Sequence, residues 1–223
     1  MVELRRKEGK EKLNFKKKIL RTLFLRVEKF KKEGKDKELS QELEEGLAYI
    51  QMRLPIEKIT EEYEQKVKAK VEHNIFNAKI REATEKDLET IKNIYNKAWL
   101  TSNTPFRPID INTLKIIQED PDTVILIARV YGIDAGFVII DLEGENKEYG
   151  VIAGLGILPR FQRKGLGTVL GLAAWNYLKN KGIKEIRCEV YKENKASYNF
   201  IKGLQFEEFG EKVYKREDFE FDE

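Results

Sequence analysis

A chain of 223 residues with 41% apolar content can bury the core of one large domain, or of a domain with an appendage. A single cysteine and a single histidine exclude an internal disulfide, a Cys-rich zinc site and a multi-His metal centre, so no metal is expected. Charged residues make up 36% of the chain, mostly Lys and Glu, against roughly 25% in ordinary domains, a bias that points to a heat-adapted source.

The net charge of +3 hides an asymmetry. Residues 1–35 hold 14 Lys or Arg against 5 Glu, a net of +9, which leaves −6 for the rest. The first dozen residues lack the apolar region of a secretory signal, and no apolar run reaches the length of a membrane span. The expected location is cytoplasmic, with no membrane partner.

Residues 10–33 carry apolar side chains at helical spacing, from Leu13 through Ile19, Leu20, Leu23, Phe24 and Val27 to Phe30. Gly34 stops that pattern. Leu39, Leu43, Leu47, Ile50 and Leu54 predict a second helix, broken at Pro55. Ile56, Ile59, Tyr63, Val67 and Val71 predict a third. Residues 1–77 therefore read as a helical N-terminal extension whose stripes pack on each other, on the body or across a homodimer. Its Lys and Arg read as solvated faces. Nucleic acid is the less favoured partner, because no aromatic platform accompanies the charge. The single histidine, His73, reads as an exposed helix residue, so a Ser-His-Asp triad finds no support.

From Ala78 the texture changes, and residues 78–223 read as a separate domain. Lys79–Ala83 predicts a short strand. Thr84 and Asp87 form a capping pair for a helix through Leu88, Ile91, Ile94, Tyr95 and Trp99. After a loop closed by Pro105 and Pro108, residues 111–118 predict a short helix. Strands follow over 123–130 and 133–142, then a polar turn at 143–147. Val151–Leu158 has the length and β-branched content of a buried strand, ended by Pro159. A basic link and Gly165-Leu166-Gly167 lead into a helix reaching about Lys181, with Gly182 beyond it. A strand over 184–191, a helix over 194–202 and one bulged or two short strands over 206–216 complete the order.

The stretch from Val151 to Gly171 joins strand, glycine turn and helix N-terminus, which together favour an anion. A kinase-type phosphate loop needs Gly-Lys before Ser or Thr, and none is present. GLGTVLG approaches a dinucleotide fingerprint, but a proline and five further residues separate it from the strand, and repeated βαβ units are missing. Gln162-Arg163-Lys164-Gly165-Leu166-Gly167, after Ile157-Leu158-Pro159, fits Gln-x-x-Gly-x-Gly at every position. This stretch resembles the coenzyme A loop of the GNAT superfamily of acetyl-CoA-dependent N-acetyltransferases. The resemblance covers about residues 79–215 and implies an α/β (α+β) fold with a mixed central sheet flanked by helices.

The resemblance also implies roles. The central strand would splay from its neighbour, and pantetheine would thread the gap beside Leu155, Gly156 and Ile157. Gly154 and Gly156 would let a ligand approach closely. An N–H near Ile157 or Leu158 would polarise the thioester carbonyl. Gln162, Arg163, Lys164, Gly165, Leu166, Gly167 and Thr168 would cradle the pyrophosphate of acetyl-CoA. Asn194 would contact the cosubstrate and cap the following helix.

Glu189 occupies the position of the general base in the protein-N-acetylating branch. A strand carboxylate paired with Arg187 or Lys192 fits the residue types equally well. The tyrosine that protonates the leaving thiolate aligns with Ile201, which cannot serve. Tyr198, one turn earlier, is the alternative acid. Trp99, Phe106 and Arg107 would line the acceptor pocket. The reading that follows is an N-acetyltransferase moving acetyl from acetyl-CoA to a primary amine. The competing reading is a non-catalytic acyl-CoA-binding module whose basic arm engages RNA or a protein.

Overall fold

The computed structural model describes residues 46–72, 77–102, 108–215 and 218. The pattern of residues 10–33, His73, Phe106 and Arg107 lie outside the described residues.

Seven strands form one sheet: β1 (Leu47–Pro55), β2 (Lys79–Glu82), β3 (Thr123–Val130), β4 (Ile133–Glu143), β5 (Tyr149–Ile157), β6 (Glu185–Tyr191) and β7 (Glu207–Tyr214). Their spatial order is β2-β3-β4-β5-β6-β1-β7. All neighbours are antiparallel except β5 and β6, which run parallel. The helices are α1 (Glu61–Glu72), α2 (Leu88–Trp99), α3 (Ile111–Gln118), α4 (Leu166–Leu178) and α5 (Lys195–Gly203). None of the described helices is long and apolar enough to cross a membrane.

Strand alternation sorts the side chains into two cores. Leu126, Ala128, Val138, Ile140, Met52, Leu54, Ile186 and Cys188 face α4 and its neighbours, where Leu166, Leu170, Ala174 and Leu178 close the layer. Ile125, Ile127, Phe137 and Ile139 face the other way, onto Ile91, Ile94 and Tyr95 of α2 and Leu114 and Ile117 of α3. The start of α2 follows the sequence reading: Thr84 N–H and hydroxyl donate to Asp87 at 2.8 and 2.9 Å.

Residues 47–55 correct the sequence reading. Leu47, Ile50 and Leu54 fit helical spacing, but the same segment also alternates. Met52 and Leu54 enter one core while Leu47 and Tyr49 are buried on the opposite face. β6 and β7 each offer a ladder edge, and β1 fills the slot between them, pairing with both. Backbone hydrogen bonds on two sides outweigh a local preference. The boundary expected between residues 77 and 78 therefore does not separate an appendage from the sheet. α1 also joins the body: Tyr63 donates to Leu204 O at 2.9 Å, and Glu64 accepts from Trp175 Nε1 at 3.1 Å and Lys179 Nζ at 2.8 Å.

Two outcomes test this arrangement. A chain starting at Ala78 leaves β7 without its partner and opens the core at Met52 and Leu54. It is expected in the insoluble fraction or as an aggregate by size-exclusion chromatography, and a soluble truncation with cooperative unfolding would contradict the topology. The second concerns Asp87, whose carboxylate also accepts two bonds from Arg81 at 2.7 and 2.8 Å. The Arg81 guanidinium holds the Asp87 carboxyl well below the usual range. A depressed folded pKa adds stability above the unfolded value of about 3.9, and that stability is lost as pH falls through it. Asp87→Asn should cost about 1–2 kcal/mol at pH 7. The difference from wild type should shrink below about pH 4, read by denaturant titration at each pH.

Candidate active site

β5 and β6 pair from Tyr149 with Glu185 to Ile152 with Cys188. Beyond that point β5 runs on to Ile157 and β6 to Tyr191 without pairing to each other. The divergence begins where Ala153 is an extra residue in β5, since Gly154 pairs with Ile139 but Ile152 with Ile140. A bulge of this kind bends its strand. The result is the open gap between parallel strands that the resemblance implies.

The two edges of β5 are not equivalent. Leu158 N–H donates to Ala135 O at 2.9 Å, in register with the β4 ladder. Antiparallel alternation then turns the backbone groups of Leu155 and Ile157 away from β4 and toward the gap. Of the two donors expected to face a thioester, Leu158 is occupied by β4, and Ile157 N–H is the one aimed into the gap.

The loop after β5 is held by Gln162. Its side-chain amide donates to Ile157 O at 2.9 Å and to Thr101 Oγ1 at 3.2 Å, tying the strand end to the segment after α2. Arg163 and Gly165 both have positive φ, 58° and 84°. Gly165 takes that conformation at little cost and caps α4. The first bond inside α4 runs from Val169 N–H to Gly165 O, so the N–H groups of Leu166, Gly167 and Thr168 have no acceptor within the helix. Those donors and the helix dipole favour an anion. The Leu166 side chain is core, and Gly167 lies against the Phe200 ring of α5, so both act on a ligand only through the backbone. Arg163 and Lys164 are exposed, where their charges attract anions at long range.

Gly156 has a different duty from the one its sequence suggests. A Cβ there would sit 2.6 Å from the Phe137 ring and 3.0 Å from Trp99. Its vacancy is filled by an aromatic stack rather than kept for a ligand on that face. In the stack, Tyr95 and Trp99 have ring centroids 4.3 Å apart, and both lie 6.4 Å from Phe137. Trp99 is half-buried over β5 on this face.

Glu189 stands one residue past the last position at which β6 pairs with β5. Its neighbours Cys188 and Val190 are buried in the opposite core. Its carboxylate accepts from Tyr214 O–H at 2.8 and 3.1 Å and from Gln51 Nε2 at 3.2 Å. Arg187 pairs with Glu185 and Lys192 with Glu211, so neither of the expected ion partners is the one found. Tyr49 meets Tyr191 and Tyr214 edge-on, each at 5.6 Å. Burial first, then nearby Glu189, raises the pKa of Tyr214 and keeps its phenol protonated. Tyr214, Gln51 and Tyr49 escaped the sequence reading because Gln51 lies 138 residues from Glu189 and no motif spans that distance.

The other predicted residues divide. Asn194 is buried and caps α5, its Oδ1 accepting from Ser197 N–H at 3.0 Å. The Tyr198 hydroxyl donates to Glu208 on β7, and that bond is the main cause of its raised pKa. Its proton is engaged by Glu208 at the surface.

The sheet is thus split between two parallel strands, with a glycine loop and a helix N-terminus at the split. The model of the acetyltransferase (GNAT) family matches residues 88–206, more than half of the chain, and the chain belongs to that family. It is 29% identical over 144 residues to an uncharacterised N-acetyltransferase of Methanocaldococcus jannaschii, covering 58% of this chain and 60% of that one. It is 36% identical over 67 residues to a mycothiol acetyltransferase of Rhodococcus erythropolis, covering 30% of this chain and 22% of that protein. The chain thus spans less than two thirds of either relative. In fold it is similar to the aminoglycoside N-acetyltransferase AAC(6')-Iy in complex with a bisubstrate analogue, with a TM-score of 0.53, 23% identity and coverage of 63% of this chain and 97% of that one. A second likeness is to the PaiA N-acetyltransferase of Thermoplasma acidophilum in complex with coenzyme A, with a TM-score of 0.50, 21% identity and coverage of 62% and 99%.

The aromatic stack gives a direct test. Gly156→Ala forces Phe137 or Trp99 to move and should lower stability by about 1–3 kcal/mol. Denaturant unfolding reads the loss, and the shift in Trp99 emission reports the displaced ring. An unchanged midpoint would show that the stack yields freely.

Proposed function

We propose that this chain transfers an acetyl group directly from acetyl-CoA to a primary amine. The observation that carries the reading is the gap between β5 and β6, which opens beside the glycine loop at the head of α4. The N–H groups of Leu166, Gly167 and Thr168, with the Arg163–Gly165 turn before them, suit the pyrophosphate. The exposed β5 edge at Leu155 and Ile157 suits the amide-bearing pantetheine arm, which can pair with it as a strand would. Asn194, the N-cap of α5, would add a side-chain contact. Similar solved structures hold coenzyme A or a coenzyme A bisubstrate, which supports the same ligand class here.

Acetyl-CoA supplies the thioester carbonyl that an amine attacks and the thiolate that leaves. The chain supplies the rest. Ile157 N–H faces the gap and can donate to the oxygen on which negative charge develops, a contribution of about 3 kcal/mol for a well-placed donor. Glu189 accepts the proton that an ammonium must lose before its nitrogen lone pair can form the amide. Trp99 and Tyr95 wall the acceptor side on the face where Glu189 lies. With Ile201 in place of a tyrosine and Tyr198 held by Glu208, the departing thiolate takes its proton from solvent.

The test is calorimetry with acetyl-CoA, coenzyme A and NADH, followed by a transfer assay across small amines, peptide N-termini and lysine side chains. The expected result is binding of both coenzyme A forms without NADH, and acetylation of at least one amine class. Gly165→Val should weaken acetyl-CoA binding at least tenfold, because it strains the turn at positive φ and crowds the donors. Tighter NADH binding, or unchanged affinity in Gly165→Val, would overturn the reading.

A further inference from the structure

Two donors on Glu189 come from outside the segment that the family model matches. Glu189 lies within residues 88–206, whereas Gln51 precedes it on β1 and Tyr214 follows it on β7. β1 sits between β6 and β7, and this topology alone brings Gln51 opposite Glu189 and Gly210 opposite Gln51. The fit is close, since a Cβ at Gly210 would meet Gln51 Oε1 at 2.7 Å. Tyr214 is 1% exposed and cannot itself reach a substrate. Its hydroxyl spans both carboxylate oxygens, and its ring is wedged against Tyr49.

Resting on the transfer reading above, we infer that Tyr214 and Gln51 are positioning residues, which fix the plane of the Glu189 carboxylate and hold it in its charged, proton-accepting form. Both groups donate, and donors to a carboxylate favour the ionised state over the protonated one. Two donors from two different strands also restrict rotation of the side chain. The proton that Glu189 accepts comes from the acceptor ammonium. The Tyr214 proton stays on its oxygen throughout, as burial of that phenol requires.

The surroundings contain other ionisable groups, and they bear on the test. Tyr49 from β1, Tyr95 from α2 and Tyr191 from β6 interact electrostatically in this cluster, and Glu143 from β4 acts on Tyr214. Lys212 on β7 stands 4.8 Å from the Tyr214 ring centroid. Arg187, two residues before Glu189 on the same strand face, is stacked on Tyr149 and bonded to Glu185. Burial keeps the phenols of Tyr49, Tyr95 and Tyr214 protonated while Glu189 titrates.

The experiment uses the full chain with 13C-labelled glutamate carboxyls. Glu189 is assigned by its absence in Glu189→Gln, and its titration is followed by NMR in wild type, Tyr214→Phe and Gln51→Met. The expected result is an upward shift of the Glu189 midpoint by about one pH unit in Tyr214→Phe and a smaller shift in Gln51→Met. In the transfer assay, the acid limb of kcat/KM should move by the same amount. Affinity for acetyl-CoA should not change. Tyr214→Phe added to Glu189→Gln should cost no further rate, since the pair acts as a unit. An unchanged midpoint in both variants would overturn the inference, as would an unmoved acid limb in an active enzyme. If Tyr214→Phe fails to fold, Gln51→Met alone decides by the same two readouts. A wild-type chain that acetylates no amine would count against the transfer reading instead, and the NMR midpoints still decide whether the two donors hold the charge.

Discussion

The divergence of two parallel strands is the constraint from which the rest follows. A sheet normally satisfies its backbone groups on both sides of every interior strand, and leaving an interior edge open is costly. Here β5 and β6 share only four paired positions before they part. The extra residue at Ala153 starts the bend, and the β4 ladder holds the other side of β5 as far as Leu158. The edge that is left open faces the gap, where an amide-bearing ligand can complete it. Gln162 then folds the loop back onto Ile157 O, which fixes the glycine turn relative to that edge.

Opening one strand pair removes support from β6, and β1 restores it from the other side. β6 pairs along its full length with β1, from Glu185 with Pro55 to Tyr191 with Tyr49. β6 therefore keeps a strand partner beyond Cys188 although β5 has left it. It also makes the position of Glu189 depend on β1, because the residue stands at the point where β6 has one strand neighbour rather than two. The stability of the split and the placement of the carboxylate are thus a single structural problem, and β1 answers both parts.

The aromatic groups divide the two sides of the gap between them. Tyr95, Trp99 and Phe137 stack in parallel over Gly156 and stiffen the β5 side. Tyr49, Tyr191 and Tyr214 meet edge-on around Glu189 on the β6 side. Rings carry few rotatable bonds, so both walls are ordered at low entropic cost. The Tyr214 hydroxyl points out of the ring cluster at the Glu189 carboxylate.

From Lys79 to Tyr214 nearly every element was legible in the sequence. Local signals were strong there: the Thr84–Asp87 capping box, apolar runs over 123–130 and 133–142 bounded by turn residues, and helical periodicity over 88–99 and 111–118. The glycine turn before α4 was legible for the same reason, since its glycines and the Gln162 anchor act over six neighbouring residues. Residues 47–55 were not, because their apolar positions satisfy a period of 3.6 and a period of 2 at once. Only the vacancy between β6 and β7 decides between them. Leu158 and Ile157 could not be told apart without the hydrogen-bond phase set by Ala135. The partners of Glu189 were likewise beyond the sequence: Gln51, Tyr214 and the carboxylate become neighbours only when three strands distant in the chain lie side by side. The sequence determined which residues could bind an anion and carry a proton, because those are properties of side chains and short loops. The tertiary structure decided which of them meet, because strand order is set by packing of the whole sheet.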